Sequence, residues 1–99
     1  MPLTNKQKRY LKTLAHHLTP VVIVGQHGLS DNVLNEVDLS LDAHELIKVR
    51  VNAGDRDERK KMLETLTESA SAELIQSIGH VAVFYRAHPK KPQISLPPK

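Results

Sequence analysis

Apolar residues along this chain follow two periods, a helical one and an extended one, which alternate from the N-terminus onward. The apolar residues from Leu11 to Leu18 lie three or four positions apart, which predicts one buried face of a helix. Residues 21–24 form a β-branched run, and residues 45–52 alternate between apolar and polar, so both segments predict strands. In chain order we predict a helix over residues 4–18, a strand over 21–24, a helix from Ser30 or Asp31 to about Ala43, a strand over 45–52, a helix from Asp55 to a break near residues 69–71, and strands over 73–78 and 81–86.

Capping residues and turns mark the ends of these elements. Thr4 and Gln7 have the spacing of a capping box, as do Asp55 and Glu58, and each pair stands where a helix is predicted to begin. The third helical pattern could continue through the apolar residues that follow it, but the run after Gly79 needs a neighbouring strand, so we favour a hairpin. The predicted turns are Ala53-Gly54 and Gly79-His80.

The succession α-β-α-β-α-β-β predicts an α/β two-layer fold, in which a four-stranded mixed sheet packs against helices. We expect residues 1–87 to form a single domain. Residues 88–99 contain four of the six prolines and three lysines, which predicts an extended and mobile basic tail.

Charge is distributed unevenly along the chain, although the net charge is only +3. Residues 1–30 and residues 74–99 each carry +4 and contain no acid, whereas residues 31–73 hold all eleven carboxylates and carry −5. A fold that brings the two ends of the chain together would therefore have a basic face and an acidic face. Such an asymmetry indicates a polyanionic partner.

Several kinds of site lack the residues they need. Cysteine is absent, which excludes disulfides and thiolate zinc sites, and the histidines have no metal-binding spacing. Lysines interrupt the N-terminal segment, which has no apolar core of a signal peptide, and no apolar run approaches membrane-spanning length. We therefore expect a cytoplasmic protein without a bound metal, cofactor or small-molecule substrate.

Catalytic patterns are equally weak. Ser30 lies near His27 and Asp31, but adjacency in sequence does not give the geometry of a catalytic triad, and a helix cap explains Ser30 or Asp31 better. The sequence has no Walker A or dinucleotide-binding fingerprint. We expect that the protein is not an enzyme.

Residues 21–30, VVIVGQHGLS, join the first predicted strand to the second predicted helix through Gly-Gln-His-Gly. Glycine at both ends allows a positive φ and keeps side chains away from an approaching backbone. The amide N–H groups at the start of the helix suit a phosphate, and KH modules clamp a nucleic-acid backbone with a GxxG loop of this kind. Two glycines three positions apart also occur in purely structural turns, so the interpretation depends on the charges nearby.

Two groups of cations accompany this loop. One group lies on the first predicted helix, which contains no acid, and the other lies on the polar face of the second predicted strand. Each group could contact phosphates or form an ordinary solvated surface. The cations of the third helix alternate with acids, so local ion pairs are expected there. The first helix carries Lys6, Lys8, Arg9 and Lys12, and the second strand carries Lys48 and Arg50.

Aromatic residues are scarce, with only Tyr10, Phe84 and Tyr85 in the whole chain. Modules that read single strands stack the bases on aromatic side chains. The composition therefore favours recognition of the backbone and shape of a nucleic acid over sequence-specific reading of its bases.

Several segments together resemble bacterial CRM-domain proteins of the YhbY type. The resemblance is carried by LTNKQKRYLKTLAHHLTP, VVIVGQHGLS, HELIKVRV, IGHVAVFYR and the final ISLPPK, and it runs from about Leu3 to Lys99. It implies a fold similar to the C-terminal domain of translation initiation factor 3 and a KH-like GxxG loop. It also implies binding to structured RNA and association with precursors of the large ribosomal subunit.

We therefore expect an RNA-binding protein that docks on structured ribosomal RNA in pre-50S particles. The alternatives are a DNA-binding module and a protein-interaction domain that uses the acidic second helix. Gln26 and His27 stand where such loops often carry Lys or Arg, so neighbouring cations must supply much of the affinity. The predicted RNA-binding residues are Gly25, Gln26, His27, Gly28, Lys6, Lys8, Arg9, Lys12, Lys48, Arg50, Arg86, Lys90 and Lys91.

Overall fold

The computed structural model describes residues 3–52 and 54–98, and it has three helices and four strands. Met1, Pro2, Ala53 and Lys99 lie outside the described residues, so the predicted Ala53-Gly54 turn is not covered. The elements are α1 Asn5–Ala15, β1 Pro20–Val24, α2 Asp31–His44, β2 Leu46–Val51, α3 Arg56–Ala70, β3 Glu73–Ile78 and β4 Val81–Tyr85.

The four strands form one mixed sheet in the order β1-β2-β4-β3. β1 and β2 are parallel, as the intervening α2 crossover requires, whereas β4 is antiparallel to both β2 and β3. The predicted order of elements, the mixed sheet and the terminal hairpin are confirmed. Because β1 and β2 run in the same direction, the loop after β1 lies at the end of the sheet where β2 also finishes.

Helices cover both faces of the sheet, so the sheet is the middle of three layers and the two-layer prediction is corrected. One core cluster joins β1, β2 and β4 to α2 and α3, and the second joins Leu46, Val83 and Tyr85 to α1. Phe84 and Tyr85 are both buried, one in each cluster. The strand pattern did not indicate the second cluster because Leu46 shares its face of β2 with the polar side chains of Lys48 and Arg50.

The capping box of α1 forms as predicted. The Thr4 hydroxyl accepts a 3.2 Å hydrogen bond from the Gln7 N–H, and the Gln7 Oε1 accepts one of 3.0 Å from the Thr4 N–H. The helix ends at Ala15, three residues before the predicted end, and Leu18 is 37% exposed. The apolar spacing that extended the prediction to Leu18 continues into a turn.

The C-terminal tail packs on the domain, which corrects the prediction of a mobile segment. The Glu45 carboxylate accepts hydrogen bonds from the backbone N–H groups of His88 at 2.6 Å, Gln93 at 2.6 Å and Ile94 at 2.7 Å. Ile94 and Leu96 pack against the α1 cluster. Both ends of the segment between His88 and Ile94 are thus held by one side chain.

Glu45 is fully buried and adopts a φ of 63° between α2 and β2, a conformation that is costly for a residue with a side chain. Burial opposes the charged form, but the N–H donors of His88, Ile94 and Gln93 outweigh it and hold the pKa of the Glu45 carboxyl below its ordinary value. Burial raises the pKa of the neighbouring Tyr85, and the negative charge of Glu45 raises it further by a smaller amount. The charged carboxylate is therefore the acceptor that docks the tail.

Acid should release the tail, since Glu45 has a lower pKa in the folded chain than in the unfolded chain. Its stabilising contribution is complete above the unfolded-state pKa of about 4.3 and is lost as the pH falls through the lower folded-state value. Amide hydrogen exchange measured over this acidic range should show loss of protection at His88, Gln93 and Ile94 before the sheet opens.

The Glu45→Gln variant should release the same amides at neutral pH, because its NH2 group faces N–H donors. We expect the free energy of unfolding to fall by about 2 kcal/mol. The pKa of Tyr85 should also move towards its ordinary value. Glu36→Gln, at an exposed position of α2, is the matched control and should change neither quantity. Unchanged protection of the three tail amides in Glu45→Gln would contradict the anchoring role.

Candidate functional site

The GxxG segment forms a tight turn between β1 and α2. The Gly28 N–H donates a 3.0 Å hydrogen bond to the Gly25 carbonyl, and Gln26 and His27 are exposed at the tip. Gly28 has a φ of +71°, whereas Gly25 is outside the positive-φ region and has no other atom within 4 Å of an added Cβ. The two glycines therefore have different roles, since Gly28 makes the turn possible and Gly25 leaves open space beside the backbone.

Ser30 caps α2 and so closes this turn. Its hydroxyl accepts a 3.2 Å hydrogen bond from the Val33 N–H, which resolves the predicted choice between Ser30 and Asp31. Asp31 occupies the first position of the helix. Its carboxylate would compete with a phosphate for the positive end of the helix dipole.

The fold brings the two predicted groups of cations to the same side of the sheet. Side chains alternate along β2, so Lys48 and Arg50 share the face of Leu46, and Leu46 packs beneath α1. Within the described residues, the cations of α1 and β2 take part in no ion pair. The α1 sequence contains no acid, so positive charge on this side has no local compensation. The cations involved are Lys6, Lys8, Arg9, Lys12, Lys48 and Arg50.

The predicted tail cations are held at the other end of the sheet. Lys90 and Lys91 are exposed in the segment anchored by Glu45, and their backbone N–H groups donate to the His88 Nδ1 at 3.1 and 3.0 Å. Glu45 immediately precedes β2, whereas the GxxG turn follows the end of the parallel strand β1. A strand of this length separates the two sites by about 20 Å.

Arg86 differs from the other predicted cations because acceptors surround its guanidinium. It forms ion pairs with Asp38 at 2.7 Å and Asp42 at 2.8 Å, and it also donates to the carbonyls of Ala70 and Asp38. Its side chain is only 19% exposed. Arg86 joins the end of β4 to α2 and to the last residue of α3, so its charge is directed at the acidic layer and not at the surface formed by α1.

A cavity of about 1000 Å³ lies elsewhere, between α3 and the β3–β4 hairpin. It is lined by both signs of charge, including Arg56, Lys60, Asp57 and Glu64. The ion pairs expected along α3 do not form in the described residues, where Arg59 instead donates to the Gly54 carbonyl at 3.1 Å. This cavity has no excess of positive charge for a phosphate.

In the part of the chain that the structure describes, no group of three or more histidine or acidic side chains is placed to hold a metal ion. No helix of the described segments has the length and apolar character needed to cross a bilayer.

Glu45 is the residue whose role the sequence patterns did not indicate. Strand alternation assigned it to the start of β2, and its three hydrogen bonds come from residues more than forty positions away. The segments HELIKVRV and ISLPPK, which carry the family resemblance, contain the anchor and part of the docked tail. Both segments were recognisable in the sequence, but no pattern in it indicated that they are in contact.

Comparison with known proteins identifies similar chains. The model of the CRS1 / YhbY (CRM) domain family matches residues 3–86. The chain is 44% identical to a probable RNA-binding protein of Pseudomonas aeruginosa, over 91% of this chain and 86% of the relative. It is 43% identical to an RNA-binding protein of Haemophilus influenzae, over 98% and 97%, and 40% identical to the probable RNA-binding protein YqeI of Bacillus subtilis, over 96% and 99%. The solution structure of a hypothetical protein from Staphylococcus aureus has a TM-score of 0.82 and 42% identity, over 97% and 100%.

The two glycines of the turn should respond differently to alanine. Gly28→Ala should lower the free energy of unfolding by roughly 1–2 kcal/mol, because a Cβ is disfavoured at positive φ. Gly25→Ala should be close to neutral, since its added Cβ meets nothing. Urea unfolding of both variants measures the difference, and equal losses would contradict the geometry of the turn.

Arg86→Gln should destabilise the chain without altering its binding to a polyanion. The acids it pairs with are more than half exposed, so we expect a loss of only about 1 kcal/mol in the free energy of unfolding. Thermal unfolding gives the stability, and retention on a heparin column gives the binding. Earlier elution of the variant from heparin would show that Arg86 contributes to the polyanion-binding surface.

Proposed function

Because the chain belongs to the CRS1/YhbY (CRM) domain family, we propose that it binds RNA through the side of the sheet covered by α1. The observation that carries this proposal is the surface of uncompensated cations on α1 and β2, which lies on the side of the sheet away from the acidic α2. The names of its relatives, which include RNA-binding proteins of bacteria, support the choice of RNA as the polyanion.

Each part of the surface has a distinct task in this proposal. Gly25 allows the RNA backbone to approach the peptide backbone, and Gly28 holds the turn that exposes Gln26 and His27. The cations of α1 and β2 neutralise phosphates and release counterions, which makes affinity depend on salt. Lys90 and Lys91 provide a second contact that an RNA reaches by following the length of the sheet.

The RNA we propose is structured ribosomal RNA in precursors of the large subunit. This finer assignment rests on the resemblance to proteins of the YhbY type, and it is compatible with a site built from cations and exposed backbone. Such a site recognises phosphate positions and shape more than base identity. No chemical step is proposed, since the surface holds RNA without reacting with it.

The alternative of a protein-interaction domain based on α2 has less support. Two of the acids on that helix, Asp38 and Asp42, already pair with Arg86. A DNA-binding module remains the other alternative, because phosphate contacts alone do not distinguish the two nucleic acids. A competition assay between structured RNA and duplex DNA of equal length distinguishes RNA binding from DNA binding.

Neutralising α1 should weaken RNA binding and reduce its salt dependence. The triple variant Lys8→Gln, Arg9→Gln and Lys12→Gln removes up to three phosphate contacts, so the slope of log K against log salt should flatten by about two. Fluorescence anisotropy with a synthetic RNA hairpin, repeated over a range of salt concentrations, measures the slope.

A triple variant of α3 provides the matched control for charge. Arg56→Gln, Lys60→Gln and Lys61→Gln remove the same charge from the other side of the sheet and should leave most of the slope in place. If both triple variants flattened the salt slope equally, RNA binding would depend on the net charge of the chain and not on the cations of α1. Gly25→Asp is a separate test of the turn, because its side chain fits without strain. It should weaken RNA binding relative to the unaltered chain, since the added carboxylate repels a phosphate beside the turn.

Association with ribosomal particles is tested by sedimentation of a cell lysate on density gradients at low and moderate salt. Salt-sensitive migration with large-subunit precursors is expected. Confinement of the protein to the top of both gradients would contradict the ribosomal assignment, while binding to the RNA hairpin in the anisotropy assay would still support the broader function.

A further inference from the structure

The face of the sheet that carries the cations also has a strip of exposed aliphatic side chains. Strand register aligns Ile23, Arg50, Val81 and Ile78 in one row across all four strands. Ile23 is 58% exposed and Ile78 is 66% exposed, and Val21, further along β1, is 49% exposed. The second core cluster that α1 covers contains none of these side chains, so the row forms an open platform on the sheet.

Arg50 lies within this row and is held in place. Its Nε donates a 2.9 Å hydrogen bond to the Asn52 Oδ1, and within the described residues it pairs with no carboxylate. A guanidinium is flat and weakly hydrated, and it stacks well on other planar groups. Ile23 on β1 and Val81 on β4 flank it, so the flat cation has an aliphatic neighbour on each side.

We propose that this row is a binding platform for an unpaired nucleobase of RNA, an inference that rests on the proposed function. The base stacks on the guanidinium plane of Arg50 and packs against Ile23 and Val81, while Lys48 and the GxxG turn hold the adjoining phosphates. Stacking of bases on arginine planes occurs in single-stranded RNA recognition and depends little on base identity. The platform supplies base contacts in a chain that has only three aromatic residues.

The position of the row supports this assignment. Ile23 is one residue from the end of β1, and the GxxG turn begins directly after that end. Neighbouring strands lie about 4.8 Å apart, so the row spans about 14 Å from Ile23 to Ile78, which is enough for a base and its ribose. The side chains of the row include two isoleucines, a valine and an arginine but no acid, as a polyanionic partner requires.

A second copy of this chain fits the platform less well. A symmetric dimer through this face would place Lys48 and Arg50 of both copies in one interface, where their like charges repel. The exposed aliphatic side chains on this face are also few, whereas a stable interface buries about 800 Å² on each partner. The pairing of aliphatic groups with cations instead matches a ligand that has flat apolar rings and negative charge.

The test compares two synthetic RNAs, a hairpin with an unpaired loop and a fully paired duplex of the same length, by fluorescence anisotropy. Arg50→Lys keeps the charge but removes the flat group, and Ile23→Thr and Ile78→Thr keep β-branched residues in the strands while reducing apolar contact. Each variant should weaken hairpin binding by about five-fold and duplex binding by clearly less, and the salt slope should stay in place because no charge is removed. Circular dichroism and thermal unfolding establish that each variant is folded.

Leu39→Gln is the matched control, because Leu39 is 67% exposed on α2, away from the platform. It should bind both RNAs like the unaltered chain. A 2-aminopurine in the hairpin loop reports stacking directly, and its fluorescence on binding should differ between the unaltered chain and Arg50→Lys.

Three results would overturn the platform. Equal affinities of the unaltered and platform variants for the hairpin, with the α1 triple variant still weakened, would reject the platform and keep the proposed function. Dimerisation that is lost in Ile78→Thr, without any change in hairpin binding, would assign the face to a second copy. Failure of the unaltered chain to bind either RNA would reject the proposed function and the platform with it.

Discussion

The rest of the structure depends on the register of β2, which is hydrogen-bonded to a strand on each side. β2 pairs with β1 in parallel and with β4 in antiparallel orientation. These two registers fix the face of the sheet on which each side chain of β2 lies. Ile47, Val49 and Val51 are buried against α2 and α3, which directs Lys48 and Arg50 to the opposite face. A slip of one residue would bury two cations without partners. The position of the basic surface is therefore a consequence of packing the core.

Glu45, immediately before β2, connects this core to the end of the chain. Its carboxylate is buried and its φ is positive, two features that are costly alone. Three backbone N–H groups of the tail compensate the charge, and the Glu45 carbonyl accepts a 2.8 Å bond from the Arg86 N–H. One residue thus joins the end of α2, the start of β2, the end of β4 and the tail. Lys90 and Lys91 are held at a defined place because of this connection.

The charges of the chain are sorted by layer, and this sorting supports the proposed RNA-binding function. α1 is basic and contains no acid, α2 is acidic, and α3 carries both signs. Arg86 compensates two acids of α2, so the uncompensated positive charge remains on the side of α1. The aliphatic row around Arg50 lies on that same side. Phosphate attraction and base contact can therefore act on one ligand at one surface.

Local sequence patterns determined the elements and the family of this protein. Caps, turns and short-range periodicity depend on residues a few positions apart. The helices, the strands, the GxxG turn and the absence of acids in α1 could therefore be predicted from the sequence alone. The third layer, the docked tail, the pairing of Arg86 and the row from Ile23 to Ile78 came only from the tertiary structure. Glu45 and His88 are 43 positions apart, and Arg86 and Asp38 are 48 apart. Periodicity identifies the face on which a side chain lies but not the distant segment that packs against it, because that choice is made by the whole core at once.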